Sequence, residues 1–347
     1  MKYIIKILSA VIIFAFLFSA CGDKPKETAP PISNQNMEEN VVEEPTPEET
    51  EIKAFFDTYV NTYERPVAIM IDNDNDSARP QAGLDEAYLI YEMVVEGGAT
   101  RFMALYRGDE VEKIGPVRSS RHYFLDYVME NDAIYTHFGW SPKAMTDISA
   151  FGINKINGII SSDESVFWRE KKFRGDWHSA YTSIENIKNR AIQRKYKTET
   201  EHNNGIEYAD TYIIPDGENT AESINLPYSG KYKTSYKYNE ENETYEKYIN
   251  SKPHTMQSGK TVEVKNIIIQ KIPDSSLGDG TDRRNVNTTG SGTGYYITNG
   301  KYEKITWSKS SRTGNTTYKK EDGTTLLINP GKTIINIISP SARITIE

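Results

Sequence analysis

The sequence predicts an α+β protein, with a mixed α/β-type domain over residues 55–201 and a mainly β domain over residues 228–347. In the first range, apolar runs of strand length alternate with segments of helical spacing. In the second, short strands are broken by Asn299-Gly300, Asp322-Gly323 and Pro330-Gly331, and no helical period survives. Residues 202–227 read as the connection between them. No internal repeat is visible.

Ahead of both domains stand two segments of another kind. Lys2 and Lys6 precede an apolar run from Ile7 to Phe18, then Ser19-Ala20-Cys21. That order reads as a secretory signal over residues 1–20, and its apolar run is too short to span a bilayer. The small residues before Cys21 mark it as the acceptor of a lipid anchor, placing the protein on the extracytoplasmic face of a membrane. Cys21 is the only cysteine, so disulfides and zinc–thiolate sites are excluded. Residues 21–54 hold five prolines and many glutamates. They read as a disordered acidic tether without enough apolar area to fold.

Charge is unevenly spread. The chain carries −8 overall, but residues 22–53 hold nine acids against Lys24, Lys26 and Lys53. The folded remainder is therefore nearly neutral, without the basic footprint of nucleic-acid binding.

Along the first domain, Val67 to Ile71 is a continuous apolar run, which predicts a strand buried on both faces. Residues 87–95 and 101–106 are two further strands, joined across Gly97-Gly98. Gly115-Pro116 predicts a helix start, with Phe124, Tyr127 and Val128 on its inward face. Residues 133–138 return as a strand. Ser141-Pro142 opens another helix, and Thr182 with Glu185 forms the capping box of a last one. In the second domain, Asn299-Gly300 sits between Tyr295-Tyr296-Ile297 and Ile305-Thr306-Trp307, a hairpin signal. A final strand covers residues 333–338.

Two motif-like stretches do not survive inspection. Asp72 to Asp76 begins like a calcium loop, but Ser77 and Gly83 stand where Gly and Glu are required, so a polar turn is expected. Gly290 to Gly294 lacks the lysine of a phosphate loop and reads as a flexible hairpin connection. No metal site and no cofactor motif is predicted.

The candidate site lies between Arg79 and His137, with His178 downstream. Glu92 interrupts an apolar strand and needs either solvent or a cationic partner. Glu96 would share its strand face roughly 13 Å away, at ~3.3 Å per residue. Arg101 leads the next strand as a natural partner for either. Arg118 and Arg121, flanking Ser119 and Ser120, would occupy the first turn of the Pro116 helix. Cations there oppose the macrodipole unless an anion compensates them. That anion is either a ligand phosphate or carboxylate, or one of the two glutamates in an internal ion-pair network. Arg79, Arg101, Arg118, Ser119 and Arg121 are thus the candidate ligand-binding residues. Glu92, Glu96, His137 and His178 are the candidate acid–base groups, each having an ordinary structural role as its alternative.

Several of these strings resemble the YerB-like bacterial lipoproteins, a two-domain family of unknown function. The resemblance rests on residues 65–73, on Ala78 to Leu84, and on Tyr91-Glu92, Glu96-Gly97 and Thr100-Arg101-Phe102. Gly115 to Arg121, His137 with Gly139 and Ser141, and His178 with Tyr181-Thr182-Ser183 extend it. In the second domain Lys265 to Ile268, Gly290-Ser291-Gly292, Thr306 to Lys309 and Asn329-Pro330-Gly331 also fit. His122, and Asp176-Trp177 ahead of His178, depart from the pattern where prolines are usual. The resemblance implies a lipoprotein with an α/β-type domain before a β-rich one, and no activity. The expected role is a Gram-positive-type envelope binding or assembly module. Its ligand would be an anionic wall polymer, a peptidoglycan fragment or an envelope protein. An envelope hydrolase or transferase, or a structural adaptor, is the alternative.

Overall fold

The computed structural model describes residues 44–108 and 110–347, so Cys21, the signal and the acidic segment to residue 43 lie outside the described residues. Within the range read as a disordered tether, Pro47–Phe55 forms a helix, α1. Thr46 caps it: its hydroxyl accepts from the Glu49 N–H, while the Glu49 carboxylate accepts from the Thr46 N–H. Ile52 and Phe55 bury its inner side. The expectation of a structureless tether therefore fails at its C-terminal end, where the capping box outweighs the acidic composition.

β1 (Val67–Asn73), β2 (Leu89–Val94), β3 (Thr100–Tyr106), β4 (Ile134–His137) and β5 (Lys155–Asn157) belong to one ten-stranded mixed sheet. The second half of the chain supplies the rest. From one edge the order is 316–320, 301–309, 290–298, 266–271, 333–338, β2, β3, β1, β4, β5. The halves join where β2 runs parallel to Thr333–Ile338, with Leu89 opposite Thr333 and Met93 opposite Ile337. Residues 45–347 accordingly form one compact unit.

Side-chain parity divides the core. On β1, Val67, Ile69 and Ile71 face one side and Ala68 and Met70 the other, all almost fully buried. The first side packs against α4 (Ile184–Gln193) and a smaller antiparallel sheet built on Ser223–Pro227, Lys233–Asn239 and Thr244–Ile249. The second packs against α2 (Leu125–Glu130) and α3 (Pro142–Ala150). Burial on both faces is what the unbroken apolar run predicts.

Three local expectations need correction. No helix starts at Pro116: the cis Gly115–Pro116 bond lies in an extended rib, and α2 begins only at Leu125. Along this rib the Pro116 carbonyl accepts from Asp72, Val117 donates to the Ala180 carbonyl and Arg118 donates to the Met70 carbonyl. Gly115 serves close approach, since a Cβ there would meet the Ala180 carbonyl at 2.7 Å. Phe124, Tyr127 and Val128 are nonetheless buried as the spacing predicts.

The cap of α4 is Ser183, whose hydroxyl accepts from the Asn186 N–H at 3.1 Å, while Thr182 donates to the Val166 carbonyl. Gly290–Thr298 is a strand rather than a flexible connection. Its glycines fit a crowded sheet: a Cβ at Gly294 would meet the Ile269 carbonyl at 2.2 Å, and one at Gly292 the Trp307 ring at 2.7 Å. Asn299-Gly300 turns this strand into the next with left-handed φ of 47° and 70°, as predicted.

Glu92 occupies the interface between the two sheets and is fully buried. Its carboxylate lies 3.0 Å from the equally buried Lys247 ammonium and accepts hydroxyl protons from Thr100 and Thr234 at 2.8 and 2.9 Å. Burial pulls the Lys247 pKa down against the opposing pull of Glu92. Removing one partner of such a pair leaves an uncompensated buried charge. Lys247→Met is therefore expected to cost about 3–5 kcal/mol in a denaturant melt, and adding Glu92→Gln should restore most of it. An unchanged midpoint in the single variant would contradict this role for the pair.

Candidate anion-binding cleft

At the carboxyl end of β1 the chain turns from a buried strand to solvent, and Asp72 stands at that point, fully buried. Arg101 lies directly opposite it in the antiparallel β1–β3 ladder, so their side chains share a face. The rib described above delivers Arg118 to the same place, its Nε 3.0 Å from Asp72 Oδ2. From the other side His178 brings Nδ1 to 2.5 Å of that oxygen. Burial works against the charge on Asp72. The His178 hydrogen bond and the Arg118 and Arg101 charges outweigh it and hold the carboxyl below its usual range.

Glu96 forms the second acidic anchor. It leaves the strand at a 3-10 turn, Glu96–Gly98, where Gly97 adopts a left-handed φ of 67°. Its carboxylate accepts two bonds from Arg121, Nε to Oε1 at 2.5 Å and Nη2 to Oε2 at 2.8 Å, and lies 3.8 Å from Arg101. Burial raises the Glu96 pKa, but Arg121 and Arg101 outweigh it and the net shift is downward. Arg101 is itself almost buried, and desolvation with Arg121 and Arg118 nearby lowers it to about 10.

Glu96, Arg101, Arg118 and Arg121 line a cleft of about 330 Å³ with Asp74, Val95, Thr281 and Arg283. Four arginines thus face it against Asp74 and Glu96. Their valences are not equally used. Arg121 uses all three of its nitrogens, two on Glu96 and Nη1 donating to the Ser120 carbonyl. Arg101 gives Nη1 to the Ser119 carbonyl at 2.8 Å, but its buried Nε has no hydrogen-bond partner among the described residues. Arg118 Nε lies 3.0 Å from Asp72 Oδ2 as an ion pair without hydrogen-bond geometry, and no nitrogen of its guanidinium has a protein hydrogen bond among the described residues. Partly exposed and held against Asp72, Arg118 presents an open two-nitrogen edge.

The sequence-predicted residues divide accordingly. Arg101, Arg118, Arg121 and Glu96 converge on the cleft, and His178 stands behind Arg118 through Asp72. Ser119 contributes a carbonyl, while its hydroxyl donates to Phe138. Glu92 does not belong: it sits on the opposite face of the sheet, paired with Lys247. Its parity is that of Ile90 and Phe102, one residue out of step with Arg101. Arg79 binds Asn73 and Asp76 and lines a separate hollow with Ile249, Asn250 and residues 252–256. His137 is fully buried at the end of β4 and its Nδ1 donates to the Gly139 carbonyl. Desolvation lowers its pKa to about 4, so it is a neutral structural group. Arg118 and Arg121 are not on a helix, so the opposing-dipole argument for an anion does not apply. Asp72 is the residue that sequence reasoning missed, although an acid closing an apolar strand was the available signal.

Arg121 thus acts as a scaffold for Glu96. Arg121→Gln should lower unfolding stability by about 1–3 kcal/mol through the stranded carboxylate, and Glu96→Gln in the same chain should recover most of the loss. Additive losses in that double-mutant cycle would contradict the pairing.

Residues 57–197 match the family model described as protein of unknown function (DUF3048) N-terminal domain, and residues 224–335 match its C-terminal domain. A protein of Bacillus subtilis (strain 168) named "Putative lipoprotein YerB" is 32% identical over 283 residues, covering 80% of this chain and 82% of that protein. The crystal structure of YerB from Bacillus subtilis is similar with a TM-score of 0.72 at 30% identity, over 82% of this chain and 94% of that one. Both halves of the chain are matched, and the protein belongs to the YerB-like DUF3048 family.

Proposed function

We propose that this protein is a membrane-anchored, extracytoplasmic lipoprotein of the cell envelope that binds an anionic group in the Arg101–Arg118–Arg121 cleft. Wall-polymer phosphate, a peptidoglycan carboxylate and an acidic stretch of an envelope protein all carry that chemistry. The anchor is supported by the signal-like segment ending at Cys21 and by the name of the Bacillus subtilis relative. The observation that carries the binding reading is Arg118. Its charge lies beside a buried carboxylate, yet its Nη groups have no hydrogen-bond partner among the described residues, and Arg118 lines the cleft. A guanidinium fork in that position matches a phosphate or carboxylate in two-point fashion.

The Asp72–His178 contact favours one second reading, an envelope hydrolase or transferase in which Asp72 orients His178 as an acid–base group. That reading requires turnover of a wall fragment that His178→Gln abolishes while leaving anion binding in place. Retained turnover in this variant would remove it.

Arg118→Lys separates site from scaffold, because a cation stays beside Asp72 while the fork is lost. Calorimetric titration with inorganic phosphate and with glycerol phosphate should show binding to the wild-type chain. The variant should bind more weakly by about 1.5–3 kcal/mol, with a melting midpoint close to wild type. Equal phosphate affinity in the two proteins would overturn the assignment.

A further inference from the structure

A surface turn beside the cleft carries features that anion binding there does not use. Between Trp168 and His178 the chain exposes Phe173 (53%) and Trp177 (71%). Lys171 and Arg174 are also exposed, and neither side chain has an ion pair or hydrogen bond among the described residues. The turn has fixed internal contacts. Asp176, almost fully buried, accepts from the backbone N–H of Lys172 and of His178, and its carbonyl accepts from the Ser179 hydroxyl. Lys172 Nζ ties it to the Ser77 and Arg79 carbonyls at 2.8 Å each. Gly175 supplies the left-handed φ of 83° that closes it.

Its charge runs against that of the chain. In a protein of net charge −8, this turn holds Arg169, Lys171, Lys172 and Arg174 against Glu170 and Asp176. Glu170 is already paired with Lys113 at 2.6 Å, and Asp176 is spent on the backbone. Single exposed aromatic residues are ordinary. Here two occur on one braced turn with two unpaired cations between and beside them.

We propose that the turn Lys171–Trp177 docks onto the surface of an anionic lipid bilayer. Aromatic rings settle at the level of the headgroups, and Lys and Arg beside them meet the negative surface potential. A soluble acidic polymer satisfies the cations but leaves Phe173 and Trp177 in water, whereas a bilayer takes both. Chain length permits the contact. The residues between Cys21 and Glu44 span at most about 80 Å at ~3.5 Å per residue, so an anchor on Cys21 leaves the folded unit within reach of its own membrane. The inference takes its setting from the proposed anchor, but its test removes that anchor.

The chain starting at Gly22 contains no cysteine and keeps the whole compact unit 45–347. It should co-sediment with vesicles of phosphatidylglycerol and phosphatidylcholine, and not with vesicles of phosphatidylcholine alone. Phe173→Ser with Trp177→Ser should weaken that partitioning at least about tenfold. Lys171→Gln and Arg174→Gln should each weaken it about fivefold, and added salt should do the same. Because all four side chains are exposed, the melting midpoints should stay unchanged. Arg174→Cys gives a unique thiol, and a polarity-sensitive dye on it should shift to the blue on the anionic vesicles. Absence of vesicle binding by the parent chain, or binding that the aromatic variant leaves intact, would overturn the proposal. So would binding to a soluble polyanion without binding to vesicles. Phosphate calorimetry on the same proteins reports on the cleft separately.

Discussion

Where β2 runs parallel to Thr333–Ile338, a hairpin from the first half of the chain lies against the last long strand of the second. Parallel neighbours cannot be joined by a tight turn, and here all of residues 95–332 lie in sequence between the two paired strands, so closing the pair carries a large loop-closure entropy cost. The ten-stranded sheet exists only through that contact, and both apolar layers are continuous across it. The smaller sheet then covers one face of the junction. That geometry leaves Glu92 out of reach of water and makes Lys247 its obligatory partner. A charged residue inside an apolar strand is thus explained by the way the two halves meet.

The same sheet separates two polar centres by parity alone. Glu92 faces the smaller sheet, while Asp72 and Arg101 point to the other side. In the first centre the charge is sealed by one lysine and two hydroxyls. In the second, two carboxylates face more guanidinium capacity than they use, and the excess opens on a cleft. Asp72 and Glu96 hold the arginines in place, with their own pKa values lowered as a consequence. The contrast between a closed pair and an open cluster is the physical basis for assigning structure to one and binding to the other.

Much of the strand content was legible because burial on both faces leaves an unbroken apolar run, as at Val67 to Ile71, and because Asn299-Gly300 is a turn that few other contexts use. The Arg118–Arg121 string was also visible, but its setting was not. Gly115-Pro116 suits both a helix start and a tightly packed extended rib, and only the approach of Ala180 and Tyr181 decides between them. The pairing of Arg101 with Asp72 depends on register between β1 and β3, which the order of residues along one strand does not encode. Lys247 was hidden for a related reason, since it lies 155 positions from Glu92 on a different sheet. Asp72 belongs both to the acidic run that ends at Asp76 and to the end of the apolar strand, and only the approach of Arg101, Arg118 and His178 from distant segments marks it as a buried anchor.

The most direct test is a crystal structure of the protein grown with inorganic phosphate. A phosphate should occupy the cleft, within hydrogen-bond distance of Arg118 Nη1 or Nη2 and of Arg101 Nε, with the Asp72–Arg118 and Glu96–Arg121 pairs unbroken. A cleft in which the Arg118 edge turns onto a protein acceptor, with phosphate bound elsewhere or not at all, would contradict this assignment.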